Sequence, residues 1–341
     1  MSLEEDHRPF LFIEGNLGVP QKVLYKTYVS AVRDFTRLRP AYRHTQPATS
    51  DALAERLAHL SAVILLANSA HQTALNLRKK LVICGCLDAE TEIQLCTALL
   101  VVRENAKQSL LWHHRRWLLH RVHPLANDTT RTSCARQLSD TLRDITLPPD
   151  ALRSEFAVAA QACETYPRNY FAWTHRYSCL EALVHLARTP SPARDSYRAI
   201  LLEEMLFVRT WIERHISDYT AVHYFHGMHA LLLQEPSVPM PEDAPGKLGV
   251  DGTDGGTLCT AMYAHAESLL EAYPEHESMW LYLRAAMDLR DYSYTAVRPS
   301  ETRRDDADGL LAPEALSSLR STVTTHAERH RAWLLHRGHD T

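Results

Sequence analysis

Histidine and cysteine offer the most chemistry in this 341-residue chain, which holds 20 of the first and 7 of the second. His223, His226 and His229 step by three along one helical pattern, and His113, His114, His120 and His123 crowd another. Imidazoles are good transition-metal ligands, but side chains three apart drift by roughly 60° around a helix at each step. No single tight coordination sphere follows from that spacing. The cysteines (Cys84, Cys86, Cys96, Cys134, Cys163, Cys179 and Cys259) are scattered, odd in number and without a CxxC pair. Neither a disulfide framework nor a structural zinc site is signalled, so the chain is expected to bind no metal of its own. Cys84 and Cys86 read as small apolar residues near a helix end. HExxH, GxSxG, GxGxxG and GxxxxGK[ST] are all absent, which disfavours a self-contained hydrolase and removes the commonest phosphate loops.

A tryptophan followed three residues later by arginine is more informative, because it recurs. The clearest copies run from Asn105 through Lys107, Trp112 and Arg115, and from Tyr166 through Pro167, Asn169, Tyr170, Trp173 and Arg176. A third runs from Tyr273 through Pro274, His276, Glu277 and Trp280 to Arg284, and weaker ones centre on Leu75, Val222 and Trp333. On a helix, residues three apart share a face. The indoles of Trp112, Trp173, Trp280 and Trp333 are therefore expected in the core. Arg115 and Arg176, one turn on, are expected to brace neighbouring carbonyls or carboxylates, a task that suits the guanidinium fork better than an ammonium.

The elements that must position these residues are helices. Leu and Ala number 48 and 40, whereas Gly is held to 11. That composition favours helix and argues against turn-dense β folds. Before Trp112, Ile93, Cys96, Leu99 and Leu100 form one apolar stripe, and before Trp173, Phe156, Ala159, Ala160 and Cys163 form another. Pro167 cannot continue the helix before it, and Asn169 is placed to cap the next. Each helix pair then has an apolar face that only a neighbouring pair can cover. The fold class predicted is all-α, a right-handed helical-hairpin solenoid (a TPR-like αα superhelix) of about five or six helix pairs.

Repeat centres at 75, 112, 173, 222, 280 and 333 are spaced more widely than bare hairpins require, so insertions are expected near 124–149, 234–256 and 292–311. Within the first, Cys134 to Ile145 has some helical character. Residues 1–50 read as an N-terminal helix, roughly Gln21 to Leu38, with a linker, and residues 51–341 as the solenoid. The formal net charge is −4 with no basic block, so nucleic-acid binding is not expected. Acidic Glu4, Glu5 and Asp6 near the start are unlike a secretory leader, and the longest apolar stretch, Leu60 to Ala67, falls far short of the ~20 residues that span a bilayer. A cytoplasmic protein without a transmembrane segment is the expectation.

Trp-x-x-Arg preceded by Tyr-Pro-x-Asn-Tyr resembles the repeat of the protein prenyltransferase alpha subunit family, with five or six copies over about 55–340. Phe12–Val19, Ser217-Asp218 and Tyr273–Glu277 look most like a divergent branch of it. The resemblance implies an alpha-type helical crescent wrapped around a beta subunit that carries the catalytic zinc and most of the isoprenoid pocket. It implies a lysine five residues before a repeat Trp that meets the diphosphate of the lipid donor, which is Lys107 here. It further implies an Asn-Tyr pair at the substrate, Asn169 and Tyr170. Family members of the farnesylating type have a Tyr and a His where this chain has Ser109 and Phe171. That departure weighs against a farnesyl-type role, and the resemblance implies geranylgeranyl transfer onto a cysteine near a protein's carboxyl terminus, with a Rab geranylgeranyltransferase beta-type partner. The chain is not expected to turn over alone. The alternative is a non-enzymatic helical-repeat scaffold.

Overall fold

The fold was analysed in a computed structural model, which describes residues 9–13, 16–42, 51–125, 141–233, 255–297 and 321–339. By internal contacts the chain forms two compact units, one of residues 1–145 and 160–166 and one of residues 146–159 and 167–341. Each is described by itself.

The first unit opens with a small hairpin that the sequence pattern did not announce. Strands β1 (Leu11–Ile13) and β2 (Asn16–Gly18) pair antiparallel, Leu11 opposite Gly18 and Phe12 opposite Leu17. Helix α1 (Gln21–Tyr42) runs past the expected Leu38 and ends two residues after Pro40, which cannot donate to the ladder. It packs on α2 (Asp51–Ala67), which packs in turn on α3 (Gln72–Ile83). Only residues 68–71 link α2 to α3, so the two must run antiparallel. Helix α4 (Ala89–Leu100), the single turn α5 (Arg103–Ala106) and α6 (Ser109–Val122) form the second hairpin. Asp88 caps α4, its carboxylate accepting the Thr91 N–H at 2.8 Å. Of the expected insertion near 124–149, residues 126–140 lie outside the described residues. Residues 141–148 contain no helix, and Ile145 bridges back to Leu125.

The second unit takes the first part of α7 (Pro149–Thr165), then α8 (Tyr170–Arg188), α9 (Arg194–Arg214) and α10 (Tyr219–Leu233). Helices α11 (Gly255–Ala272), α12 (Glu277–Val297) and α13 (Ser321–His339) follow. Each hairpin covers its neighbour, with α8 against α9 and α10, α10 against α12, and α12 against α11 and α13. Helices α8 and α10 come so close that a Cβ on Gly227 would sit 2.9 Å from the Tyr177 ring. The excursion expected near 292–311 begins later than the sequence suggested, because Tyr292–Val297 continues α12; residues 298–311 lie outside the described residues. Likewise Gly255 and Gly256, placed in the 234–256 insertion, open α11, and residues 234–254 lie outside the described residues.

The chain is thus all-α apart from the small hairpin, built of helical-hairpin repeats. Every repeat centre expected from the sequence lies in the second helix of a hairpin or in α13. Leu75, Trp112, Trp173, Val222 and Trp280 are all buried, as the apolar stripes require. Trp333 departs from that pattern. It is half-buried on α13, stacked at 5.6 Å on His330 and covered by the Arg284 guanidinium, because no further hairpin of the described residues seals it. No helix among the described residues is long and apolar enough to cross a membrane.

Candidate functional site

Lys107 stands in the turn between α5 and α6, and its surroundings hold that turn rigidly. The buried Trp112 indole donates to the Ala106 carbonyl at 2.7 Å. Asn105 is also buried: its side-chain oxygen accepts the Ser69 hydroxyl at 2.9 Å and its backbone carbonyl accepts the Gln108 N–H at 2.9 Å. The lysine is therefore presented from a fixed backbone, with its side chain about a third exposed. Its ammonium lies 2.6 Å from a Glu104 carboxylate oxygen and 5.1 Å from the centre of the Tyr166 ring. The Glu104 hydrogen bond holds the Lys107 pKa above its ordinary value, and Lys107 in turn lowers that of Glu104. Arg103 also overlies Tyr166, at 5.9 Å. A charged group, an aromatic platform and a counter-ion converge at one turn, an arrangement able to receive an anion that displaces Glu104.

The second unit holds Asn169 and Tyr170. Asn169 is buried and caps α8, its side-chain oxygen accepting the Ala172 N–H at 3.2 Å. Just before it, Arg168 takes a left-handed φ of 56°, so the chain reverses sharply after Pro167. Tyr170 is 62% exposed and meets Phe171 edge-on at 5.6 Å. The structure thus makes Asn169 a structural cap and leaves Tyr170 as the solvent-facing member of the pair.

The two arginines are braces. Arg176, fully buried, gives two parallel hydrogen bonds to Glu204 at 2.6 and 2.5 Å and a third to the Phe156 carbonyl at 2.7 Å. Arg115 reaches the Ile93 carbonyl at 3.3 Å and the Thr97 hydroxyl at 2.9 Å. A brace that sequence reading missed is Arg78, which grips Glu92 at 2.6 and 2.5 Å and the Ala58 carbonyl at 2.6 Å. The signal was there: Glu92 shares a buried helical face with Cys96 and Leu99, and an acid on an apolar stripe needs a buried partner.

The histidines divide by environment. His223 is exposed and His226 partly so, while His229 is buried with Nδ1 2.9 Å from the Phe225 carbonyl, so the three do not converge. His114 lies 3.2 Å from Glu92; burial pushes its pKa down, leaving the neutral imidazole to donate to the carboxylate. His120 reaches the Thr141 carbonyl at 2.9 Å. One cluster has metal-ligand composition: Glu155, His175 and Cys179, all sealed from solvent. There the His175 Nε2 sits 2.8 Å from Glu155 and 3.7 Å from the Cys179 sulfur. It reproduces the Glu92–His114 hydrogen bond of the preceding repeat, where Leu118 fills the place of Cys179. Buried throughout and with Nε2 engaged by a carboxylate, it has the form of a packing element.

Comparison with known proteins fits this geometry. A profile of the protein prenyltransferase alpha subunit repeat matches residues 152–183, which hold the Glu155–His175 and Phe156–Arg176 contacts. Protein prenyltransferase alpha subunit repeat-containing protein 1 of Danio rerio is 28% identical over 67% of this chain and 54% of its own length. The Homo sapiens protein of that name is 24% identical over 75% of this chain and 64% of its own. Repeat-containing protein 1-A of Xenopus laevis is 24% identical over 69% and 55%. The matched stretch spans little more than half the length of most of these relatives. Residues 152–183 thus match the protein prenyltransferase alpha subunit repeat, and the chain is similar over about two thirds or more of its length to relatives named repeat-containing protein 1.

Proposed function

We propose that the chain is the alpha-type subunit of a heterodimeric protein prenyltransferase, of geranylgeranyl type, working with a Rab geranylgeranyltransferase beta-type partner. The observation that carries this reading is Lys107: a cation on a rigid turn, five residues before a buried repeat tryptophan, at the position the family resemblance assigns to the diphosphate. In such a transfer the substrate cysteine sulfur bonds to C1 of the isoprenoid, the C–O bond breaks, and its electron pair leaves with the diphosphate. A fixed ammonium stabilises the growing charge more in the transition state than in the ground state. Zinc on the partner subunit would supply the thiolate, the nucleophilic form of the cysteine. Lys107 would hold the leaving diphosphate once that group displaces Glu104, while Tyr170 presents an exposed ring for substrate contact.

A second reading, a helical-repeat scaffold without enzyme partner, is favoured by two details. Lys107 already has a partner in Glu104, and Asn169 is committed to capping α8. Co-expression with a Rab-type beta subunit, followed by a transfer assay with labelled geranylgeranyl diphosphate and a protein ending in a cysteine-containing tail, separates the two. Co-purification with transfer supports the enzyme; stable association without transfer, or no association, overturns it.

A further inference from the structure

The chain as a whole is acidic, yet one region of the first unit is strongly basic. Helix α1 carries Lys22, Lys26, Arg33, Arg37 and Arg39 against the single acid Asp34, which is already shared by Arg37 and Arg56 at 3.1 and 3.7 Å. Helix α3 carries Arg78, Lys79 and Lys80 and no acid. Arg78 is spent inside on Glu92. The remaining charge gathers around a cavity of about 440 Å³ lined by Arg39, Tyr42, Thr73, Asn76, Leu77, Lys79 and Lys80.

Three observations make this a site for an anion. First, among the described residues the lining holds three cations and no carboxylate, so like charges converge there. Second, the Arg39 Nε is buried without a hydrogen-bond acceptor among the described residues, a donor that a protein rarely leaves orphaned. Third, Thr73, Asn76 and Lys80 fall at three- and four-residue steps along one face of α3, adding a hydroxyl and an amide beside the charge. Lys79 is steadied at the rim by the Trp117 ring, 5.3 Å away. A triply cationic lining with neutral donors matches a group with several oxygens and more than one negative charge. The volume exceeds that of the anion alone and leaves room for an organic remainder.

We propose that the cavity between the end of α1 and α3, lined by Arg39, Lys79 and Lys80, binds the phosphate groups of a small soluble organic phosphate. This site is separate from Lys107 and does not rest on the prenyl-transfer reading.

Isothermal titration of the full chain with inorganic diphosphate, ADP and sulfate at matched ionic strength tests it. Diphosphate and ADP are expected to bind and sulfate to bind at least tenfold more weakly. Arg39→Gln and Lys80→Gln should each weaken diphosphate about tenfold without changing the melting temperature of the unliganded protein, since both side chains reach solvent. In a Lys107→Ala background, which removes the other diphosphate contact proposed above, diphosphate should still bind and the two cavity variants should still weaken it about tenfold. The proposal is overturned if diphosphate binds no better than sulfate, if Lys107→Ala abolishes binding while the cavity variants keep it, or if the chain binds only vesicles containing phosphatidic acid.

Discussion

Arg176 and Glu204 face each other through two parallel hydrogen bonds of 2.6 and 2.5 Å, both side chains buried. The third Arg176 bond goes to the Phe156 carbonyl, and Tyr224 donates its hydroxyl to Glu204 at 2.7 Å. Arg78 and Glu92 repeat the arrangement in the other unit, again with a carbonyl twenty residues before the arginine. The arginine of one helix thereby ties its own hairpin to the helix that follows.

Removing one partner should therefore be much worse than removing both. Glu204→Leu is expected to cost about 3–5 kcal/mol, because it leaves a buried guanidinium without its counter-charge. Arg176→Met together with Glu204→Leu should recover most of that loss. Urea unfolding of the two variants checks it, and equal costs would show that the pair is not a coupled unit.

The repeat tryptophans are not equivalent. Trp112 and Trp280 each donate to the carbonyl six residues back, at 2.7 and 2.8 Å, whereas the buried Trp173 Nε1 has no acceptor among the described residues. Trp173 is held by its faces and edges instead, against Trp211 at 5.7 Å and Tyr224 at 5.1 Å. Substitution by Phe should cost about 1 kcal/mol more at Trp112 or Trp280 than at Trp173, the worth of one hydrogen bond. Paired thermal unfolding curves measure the difference, and a costlier Trp173→Phe would contradict it.

Acid should weaken the second unit through His229. Burial pushes this imidazole down to about 4, against an ordinary value near 6.5, and nearby His226 adds to the effect. The unfolded chain therefore takes up the proton first as pH falls. The contribution of His229 is complete above about pH 6.5 and is lost progressively as pH drops toward 4, by roughly 3 kcal/mol in all. His229→Leu should flatten the stability profile between those values. An unchanged slope would mean that the burial of this ring does not govern acid unfolding.

The helices were legible because periodicity reports burial directly, and Trp112, Trp173 and Trp280 mark the same place in their hairpins. What the sequence concealed was pairing across elements. Glu92 and Glu204 are distant in sequence from the arginines they serve, and only folding brings them together. The small hairpin at Leu11–Gly18 was hidden too, since three-residue strands carry too little alternation to register. At the candidate site, the family resemblance pointed to Lys107 and to Asn169 and Tyr170. Spacing after Pro167 did place Asn169 as the cap of α8, as found, but it could not show that Glu104 occupies the lysine, because that depends on side-chain direction.

Glu104 provides the sharpest test of Lys107. If the ammonium receives the leaving diphosphate, Lys107→Ala in the reconstituted heterodimer should slow transfer by on the order of 10²-fold, the usual cost of losing one preorganised electrostatic stabiliser. Glu104→Gln should do the reverse of harm: it frees the ammonium from its 2.6 Å partner, so the KM for geranylgeranyl diphosphate should fall while kcat is kept or raised. A merely structural Lys107–Glu104 pair predicts something else. Both variants would then lower stability by similar small amounts and leave kcat and KM untouched, as for other exposed ion pairs. Steady-state kinetics on the two variants, alongside their melting curves, decide between these outcomes, and full turnover in Lys107→Ala would remove the lysine from the mechanism.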